Sequence, residues 1–404
     1  MSKEHDKKDD LLGKSIDPIY FELAGRIRGV DPEYGQYLLQ KMYSLEVAKI
    51  VRELPAPAEE IAKKLNLKAE NVEKTTQELV KKGYVLKTAK GPKLFGFLTQ
   101  LDDIMMANPY TDCERDEEFM ELYRKVYYNF FESQVTAMQA TAAQATAAQS
   151  DAASAVATGA AADAHGGQTM RIIPKWKAIK DVPGVMPCED MREIFKAYEG
   201  RLNNTRCFCR THLDMSRYRQ HAEKCGMTEG TMPSEGHCNH LGYVAEYYTE
   251  VMGITPYLTV EQMLASNEPL EKSRSYHMTQ NRREVSFVCN CCECCGLSTL
   301  IRHRLFPGQP EMMIKNISPS RFMAILDKEK CNGCNMCSSK CPFDAITIKN
   351  GKAQITAKRC FGCGNCVLNC PQGALKMKLI RPADHIPVVE GPSFVETVNF
   401  EVEP

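Results

Sequence analysis

Two similar stretches decide the fold of the C-terminal part: CNGCNMCSSKCP at residues 331–342 and CFGCGNCVLNCP at residues 360–371. Each contains three cysteines separated by two residues, a fourth cysteine after three further residues, and a proline directly behind it. The two stretches form an internal repeat, with 18 residues between Cys341 and Cys360. The equal spacing in both copies indicates that both loops wrap the same kind of group.

The spacing of these cysteines suits iron–sulfur chemistry. Three closely spaced thiolates can surround one corner of a [4Fe–4S] cubane from a single loop, and the fourth cysteine, followed by proline, leads the chain to the other cluster. The repeat therefore predicts cluster I held by Cys331, Cys334, Cys337 and Cys370, and cluster II held by Cys360, Cys363, Cys366 and Cys341. The alternative, a zinc motif, pairs two CxxC units and needs neither the third evenly spaced cysteine nor the proline.

The sequence between and around the two runs completes a small domain. AITIK and KAQIT flank Asn350-Gly351, which is a strong signal for a β-hairpin turn. This region resembles the two-cluster bacterial ferredoxins over its whole length, with no departure at any ligand position. The resemblance implies a C-terminal ferredoxin-like 2[4Fe–4S] domain, which we place at residues 306–380, followed by a tail at residues 381–404.

A second group of cysteines lies in a predicted central Cys-rich α/β domain, residues 168–305. The sequence VCNCCECCG at residues 288–296 contains five cysteines within seven residues, and packing gives no reason for that density. Soft thiolates at such density bind iron–sulfur clusters or zinc. The candidate ligands are Cys207, Cys209, Cys225, Cys238, Cys289, Cys291, Cys292, Cys294 and Cys295. They predict one or two further iron–sulfur clusters, and an unusual multi-iron site and zinc remain alternatives.

Charged and imidazole side chains flank these central cysteines. Arg206 and Arg210 would favour thiolates and raise the potential of a cluster, unless they are ordinary surface charges. Histidine is a common metal ligand, but on polar stretches such as these it is more often solvated or placed behind the ligands. The nearby histidines are His212, His237 and His240. Cys113 and Cys188 stand alone, and each is predicted to be a small buried hydrophobic residue.

The part of the chain before the central domain divides by composition. Apolar residues at three- and four-residue steps predict three helices, and an alternating stretch around Gly91-Pro92 predicts a β-hairpin behind them. The first apolar stripe comprises Leu38, Met42, Leu45, Ala48 and Val51. This order resembles a winged helix-turn-helix. The predicted segments are a polar N-terminal segment (1–32), a winged-helix-like domain (33–100), a helical connector (101–133) and an Ala-rich low-complexity linker (134–167).

These features together resemble one family. MRIIP at 170–174, RCFCR at 206–210, VCNCCECC at 288–295 and the terminal cysteine runs are similar to a family from anaerobes whose members are described as 4Fe–4S dicluster-binding proteins. The similarity covers nearly the whole chain except the Ala-rich linker. Relatives often carry a further cysteine where this chain has Gly296, so position 296 is not an essential ligand here. The resemblance implies an α+β multidomain electron-transfer protein of anaerobic metabolism.

Composition and motifs exclude several classes of function. Lys and Arg total 51, as do Asp and Glu, so no net charge draws the chain to nucleic acid or to an anionic membrane. No stretch is apolar over the length of a membrane span, and the polar start MSKEHDKKDD is unlike a secretory signal, so we expect a cytoplasmic protein. Clustered thiols in a reducing compartment indicate metal rather than disulfides. The sequence lacks GxGxxG and GxxxxGK[ST] motifs, so a flavin or nicotinamide would enter only through a partner.

Three functions remain after these exclusions. The sequence favours an iron–sulfur electron-transfer protein or subunit that passes single electrons between a partner oxidoreductase and a low-potential, ferredoxin-type carrier. One alternative is an enzyme that reduces a substrate at the central site, with catalytic residues unknown. The other is a redox-sensing winged-helix regulator. Its candidate recognition helix, residues 69–82, carries three Glu and three Lys, which gives little attraction for DNA, so no nucleic-acid partner is preferred.

Overall fold

The computed structural model describes residues 15–88, 90–108, 118–127, 129–130, 168, 170–207, 209, 238–292, 317–393, 396–397 and 400. The chain divides into two compact units, residues 1–133 with 398–401 and residues 134–397 with 402–404. The mixture of helices and strands confirms the α+β class. The predicted Ala-rich linker lies outside the described residues, as do Cys113, Arg210, His212, Cys225, His237, Cys294 and Cys295.

The N-terminal unit is mainly helical. Its elements are α1 (Pro18–Gly25), α2 (Gly35–Met42), α3 (Leu45–Glu53), α4 (Ala58–Leu65), α5 (Ala69–Lys81), β1 (Leu86–Thr88), β2 (Gly91–Lys93), α6 (Leu98–Leu101) and a π-helical turn at Asp102–Met106. Residues 118–127 are also helical. Helix α5 buries Val72, Leu79 and Val80, as its periodicity predicts. Helices followed by two antiparallel strands agree with the sequence pattern, while the winged-helix identity stays a prediction.

The first apolar stripe forms two helices rather than one. Tyr43 takes an extended conformation and ends α2. The Ser44 hydroxyl then caps α3 by accepting a hydrogen bond from the Val47 N–H at 3.4 Å. Leu38, Met42, Ala48 and Val51 of the stripe are buried, whereas Leu45, at the first position of α3, is exposed. The serine cap sets the break between the two helices.

Two other segments differ from their predictions. The predicted polar segment, residues 1–32, contains α1, because Asp17 caps its first turn and Pro18 occupies its first position. These two residues are a helix-start signal that the charged composition of the first ten residues obscures. Gly91 and Pro92 belong to β2 and pair with β1 instead of forming the hairpin turn.

The second unit contains a six-stranded sheet in the part of the chain that the structure describes. Its strands are β3 (Met170–Ile173), β4 (Leu202–Thr205), β5 (Cys238–Leu241), β6 (Tyr276–Gln280), β7 (Phe287–Cys291) and β8 (Ile317–Ser318). Their order is β4-β5-β7-β6-β3-β8, with β3 and β8 parallel and the other pairs antiparallel. The helices between them in the chain include α7 (Trp176–Ile179), α8 (Met191–Ala197), α9 (Tyr243–Glu246) and α10 (Val260–Asn267).

The two faces of this sheet differ in chemistry, because successive side chains of a strand point to opposite sides. In β7, Val288 lies in the apolar core, whereas Cys289 and Cys291 point to the other face. The core contains Ile173, Met191, Ile194, Phe195, Leu202, Leu241, Val260, Met263, Val285 and Val288. One face of the sheet therefore packs against helices α8 and α10, and the opposite face carries the central cysteines.

The C-terminal part of this unit pairs its strands in two antiparallel ladders. Its elements are β9 (Phe322–Leu326), α11 (Met336–Ser339), β10 (Ile346–Lys349), β11 (Lys352–Ile355), α12 (Asn365–Leu368) and β12 (Leu375–Leu379). Strand β9 pairs with β12, and β10 pairs with β11. Asn350 and Gly351, both at positive φ, form the turn between β10 and β11, which confirms the hairpin predicted there.

The C-terminal part is joined to the central sheet rather than set apart from it. Strand β8 follows the predicted boundary at residue 305 yet pairs with β3 in the central sheet, and the separate strand pairing of the C-terminal part begins with β9. The C-terminal tail also lies against the central part, because Arg282 Nη2 donates to the carbonyls of Val389 and Gly391 at 2.6 and 2.5 Å. The central sheet and the cysteine runs therefore hold fixed positions within one fold.

Candidate metal centres

The first cysteine run and the last cysteine of the second run surround one cavity. This cavity, which we call cavity I, comprises about 310 Å³ of space between the side chains, part of it open to solvent. Its four cysteines are Cys331, Cys334, Cys337 and Cys370. Leu326, Ile348 and Leu375, from β9, β10 and β12, complete an apolar wall. The strands of the ferredoxin-type fold therefore form the back of the cavity, and the cysteine loop forms its front.

The second run and the last cysteine of the first run surround another cavity. This one, which we call cavity II, comprises about 320 Å³ of space between the side chains, part of it open to solvent. Its four cysteines are Cys341, Cys360, Cys363 and Cys366. Two aromatic rings stand in its wall, those of Phe343 and Phe361, stacked with their centroids 4.4 Å apart.

Each cavity takes three cysteines from one run and the fourth from the other. Helices α11 and α12 cause this exchange, because each carries the chain from its own cavity to the other before Cys341 and Cys370. The grouping is the one that the spacing of the runs predicts, and the assignment of these residues as cluster ligands stays a prediction.

Backbone amides point at several of these sulfurs. The N–H groups of Ala345 and Ala374 donate to Cys341 Sγ and Cys370 Sγ, both at 3.3 Å. The N–H of Ala353 donates to Cys331 Sγ at 3.4 Å, and this hydrogen bond lowers the pKa of Cys331. Hydrogen bonds to sulfur stabilise the thiolate that binds iron. The amides therefore favour the thiolate form of cysteines in both runs.

Two equivalent glycines allow the cysteine loops to close. A Cβ at Gly333 would lie 2.3 Å from the carbonyl oxygen of Gly351, and one at Gly362 would lie 2.1 Å from that of Phe322. Both glycines also have positive φ, which disfavours any residue with a side chain. Each loop therefore runs directly against a neighbouring backbone, and only glycine fits at the second position after the first cysteine of each run.

The two cavities differ in their exposure to solvent. Cys334 is exposed at the rim of cavity I, whereas Cys341, Cys363 and Cys366 of cavity II are buried. Burial raises the pKa of Cys363 to about 12 and that of Cys366 well above its ordinary value. Such thiols ionise only beside a compensating positive charge, and bound iron supplies one. The cysteines around cavity I are therefore, as a group, more exposed than those around cavity II, although Cys337 is buried and Cys360 is partly exposed.

Each cavity has the four cysteines that a [4Fe–4S] cluster requires. Within the described ranges, no three His, Cys, Asp or Glu side chains converge as the ligands of one metal ion would. The eight cysteines stand instead around the walls of two cavities, as ligands of a many-atom cluster must. Such a cluster would supply one-electron transfer at each cavity.

Four described cysteines of the central domain form a row of contacting thiols. Cys238 of β5 pairs in register with Cys289 of β7, and its thiol lies within hydrogen-bonding reach of Cys207 and Cys289. The Cys289 thiol in turn reaches Cys238 and Cys291. We call these four residues the central thiol row. The hydrogen bond with Cys207, together with burial, raises the pKa of Cys238, and the hydrogen bonds with Cys238 and Cys291, together with burial, raise the pKa of Cys289. A metal would therefore be needed to hold both as thiolates.

The remaining central candidates take different positions. Cys292 is buried and directly follows the row, and Cys209 is partly exposed. His240 lies on the same face of the sheet as Cys238, with Nε2 2.8 Å from Thr205 Oγ1. Burial lowers the pKa of His240 to about 3, so the ring is neutral. Its buried Nδ1 has no hydrogen-bond partner among the described residues, which is the state of an imidazole nitrogen that can bind a metal.

Cys188 is not brought to the central thiol row. It is partly buried beside Arg171 and Glu189, and burial raises its pKa. This placement agrees with the expectation of an isolated, packing cysteine. A variant of Cys188 can therefore serve as the control for variants of the candidate ligands in the same unit.

A buried lysine that no sequence motif predicts lies beside cavity II. Lys175 Nζ donates to the carbonyls of Leu270 and Glu271 at 2.6 and 2.7 Å, and its backbone N–H donates to the Cys363 carbonyl at 2.9 Å. Burial lowers the pKa of Lys175 to about 8, which leaves the side chain charged at neutral pH. A fixed positive charge therefore lies next to cavity II. Lys175 is a single lysine after MRIIP and belongs to no sequence pattern that would predict this position.

Comparison with known proteins identifies one part of the chain. Neither the search of curated proteins nor the search of solved structures gave a match. Among the residues that the structure describes, no helix has the length and apolar character needed to cross a membrane. Residues 330–375 match the family model described as 4Fe–4S dicluster domain. The match spans both cysteine runs, so the C-terminal part of this chain is a ferredoxin-type domain that binds iron–sulfur clusters and transfers electrons.

Proposed function

We propose that this chain is an iron–sulfur electron-transfer protein with three connected redox sites. The observation that carries the proposal is that two four-cysteine cavities and the central thiol row belong to one compact unit. Cavity I, at the surface, exchanges single electrons with a partner protein. Cavity II, inside, relays them to or from the central site.

The ligands of each site follow from the residues that the fold brings together. Cluster I is bound by Cys331, Cys334, Cys337 and Cys370, and cluster II by Cys360, Cys363, Cys366 and Cys341. The central site is a further iron–sulfur site that uses the central thiol row, with His240 Nδ1 as an additional candidate ligand. Cys209, Cys225, Cys292, Cys294 and Cys295 are the other cysteines available to it.

The surface beside cavity I indicates how the partner docks. Between residues 322 and 380, nine Lys and Arg stand against three Asp and Glu. Lys328, Lys330, Lys349 and Lys352 are exposed, and Lys352 Nζ donates to the Cys331 carbonyl at 2.6 Å. A basic surface attracts an acidic one and speeds association. The partner is therefore an oxidoreductase or ferredoxin-type carrier of anaerobic metabolism with an acidic docking face, and any flavin or nicotinamide belongs to it.

Iron and acid-labile sulfide in anaerobically purified full-length protein test this proposal. The two C-terminal clusters should contribute about eight irons per chain. Cys334→Ala and Cys363→Ala should each remove a different electron paramagnetic resonance (EPR) signal of the reduced protein, while Cys188→Ala keeps both. Zinc in place of iron, or an equal loss of iron in Cys188→Ala, would contradict the proposal.

A further inference from the structure

We propose that Tyr276 is the bridge through which single electrons pass between cavity II and the central thiol row. The inference rests on the proposed function, because it requires a redox centre at each end. Tyr276 is fully buried at the start of β6 and provides no metal ligand. Its role follows from what its side chain contacts on either side.

On one side, Tyr276 contacts the wall of cavity II. Its ring centroid lies 4.9 Å from that of Phe343, at an interplanar angle of 46°. Phe343 lines cavity II and stacks on Phe361, which lines the same cavity. All three rings are buried, so packed aromatic atoms rather than water fill the space between the cavity and β6.

On the other side, Tyr276 lies beside the end of the central thiol row. It pairs in register with Cys291 across the antiparallel strands β6 and β7. Cross-strand partners share a face of the sheet, with Cβ atoms about 4.5–5.5 Å apart. The Cys291 thiol contacts Cys289, which contacts Cys238, so the row begins at the cross-strand partner of Tyr276. The side chains thus form a continuous path from the cavity wall to the thiols.

Hydrogen bonds hold this path in place at the cavity end. Buried Asn365, the first residue of α12 and part of the wall of cavity II, donates from Nδ2 to the carbonyl of Ser275 at 3.0 Å. Ser275 directly precedes Tyr276, so the start of β6 is fixed against the second cysteine run. Electron tunnelling weakens steeply as the gap between packed atoms widens, and this bond keeps the gap constant.

The step itself is a transfer of one electron. A reduced [4Fe–4S]¹⁺ cluster in cavity II becomes [4Fe–4S]²⁺, and the central iron–sulfur site gains the electron and becomes one unit more negative. The reverse step returns the electron. No bond forms or breaks, and no proton is required. Tyr276 stays in its ground state, because its ring supplies contact rather than a redox intermediate.

The test uses full-length, cluster-loaded protein and three variants. Tyr276→Leu removes the ring and its contact with Phe343, whereas Tyr276→Phe keeps the ring. Phe195→Leu is the matched control, because Phe195 is an equally buried aromatic residue in the apolar core on the opposite face of the sheet. Iron content is measured first in each. Each protein is then mixed anaerobically with dithionite, and rapid freeze-quench EPR follows the C-terminal and the central signals separately.

We expect the central signal to follow the C-terminal signals in a second phase. That fast second phase should be lost in Tyr276→Leu and kept in Tyr276→Phe and Phe195→Leu, with unchanged iron content and unchanged reduction of the C-terminal clusters. An unaltered second phase in Tyr276→Leu would overturn the bridge, and so would its loss in Tyr276→Phe. Absence of iron from the central site of the wild-type protein would overturn the proposed function as well, and the initial iron content identifies that case.

Discussion

Replacement of Gly362 by Ala should selectively weaken the hold of the protein on the cluster in cavity II. Gly362 lies between Cys360 and Cys363, where the loop passes directly over the backbone of β9. An added Cβ would stand 2.1 Å from the Phe322 carbonyl oxygen and 2.2 Å from Ser320 Oγ. Because Phe322 belongs to a paired strand, the loop must move instead of the strand.

The size of this effect follows from two contributions. Gly362 has φ of +69°, and a residue with a Cβ pays about 1–2 kcal/mol to occupy that region. Forcing an extra methyl into a packed site costs about 1–3 kcal/mol more. Gly373→Ala is the matched control, since Gly373 has φ of +57° but no atom within 4 Å of an added Cβ. Gly373→Ala should therefore carry only the first cost.

Loss of cluster absorbance in urea under anaerobic conditions measures the difference between these two variants. Rates of loss are preferable to an equilibrium stability, because bound cofactors break two-state behaviour. Gly362→Ala should lose its cluster faster than Gly373→Ala, and the reduced-state EPR signal of cavity II should decline first. Equal rates in the two variants would show that the close approach of Gly362 to β9 has no energetic effect on the cluster.

Three further predictions concern the surroundings of the clusters and the N-terminal unit. Lys175→Met removes a buried positive charge beside Cys363, so the midpoint potential of the cavity II cluster should become more negative in an EPR-monitored redox titration. Lys177→Met changes an exposed ion pair and should leave that potential unchanged. Equal potentials in the two variants would count against the position assigned to the Lys175 charge. Lys349→Glu weakens the basic surface near cavity I. Its reduction by an acidic reduced ferredoxin, followed by stopped flow, should therefore be slowed more at low than at high ionic strength. An effect of the substitution that does not depend on salt would argue against docking at this surface. Residues 69–82 carry balanced charge, so a genome-wide DNA-binding assay should give no discrete peaks, and oxidant-dependent peaks would instead favour the regulator.

The sequence predicted best where local spacing alone determines structure. The two cysteine runs, the Asn350-Gly351 turn and the helical periodicity of α5 are set by residues close together in the chain, so the pattern and the structure agree there. The helix α1 was missed although Asp17-Pro18 is a start signal, because the charged residues before it dominate the composition of the segment.

Features that depend on long-range pairing could not be predicted in the same way. The central thiol row exists because β5 and β7 become neighbours in the sheet, although Cys238 and Cys289 are far apart in the chain. The contact of Tyr276 with Phe343 likewise requires the C-terminal part to pack on β6. Neither Tyr276 nor Lys175 belongs to a motif, so only the folded arrangement reveals its position.

Whether the central thiol row binds iron is measured by the iron and acid-labile sulfide content of full-length protein, compared with that of a Cys238→Ser/Cys289→Ser double variant. Both cysteines lie in the middle of the central thiol row and outside the C-terminal runs. We expect clearly more than eight irons per wild-type chain, falling to about eight in the double variant, with both C-terminal EPR signals intact. About eight irons in both proteins, or zinc at the central site, would contradict it.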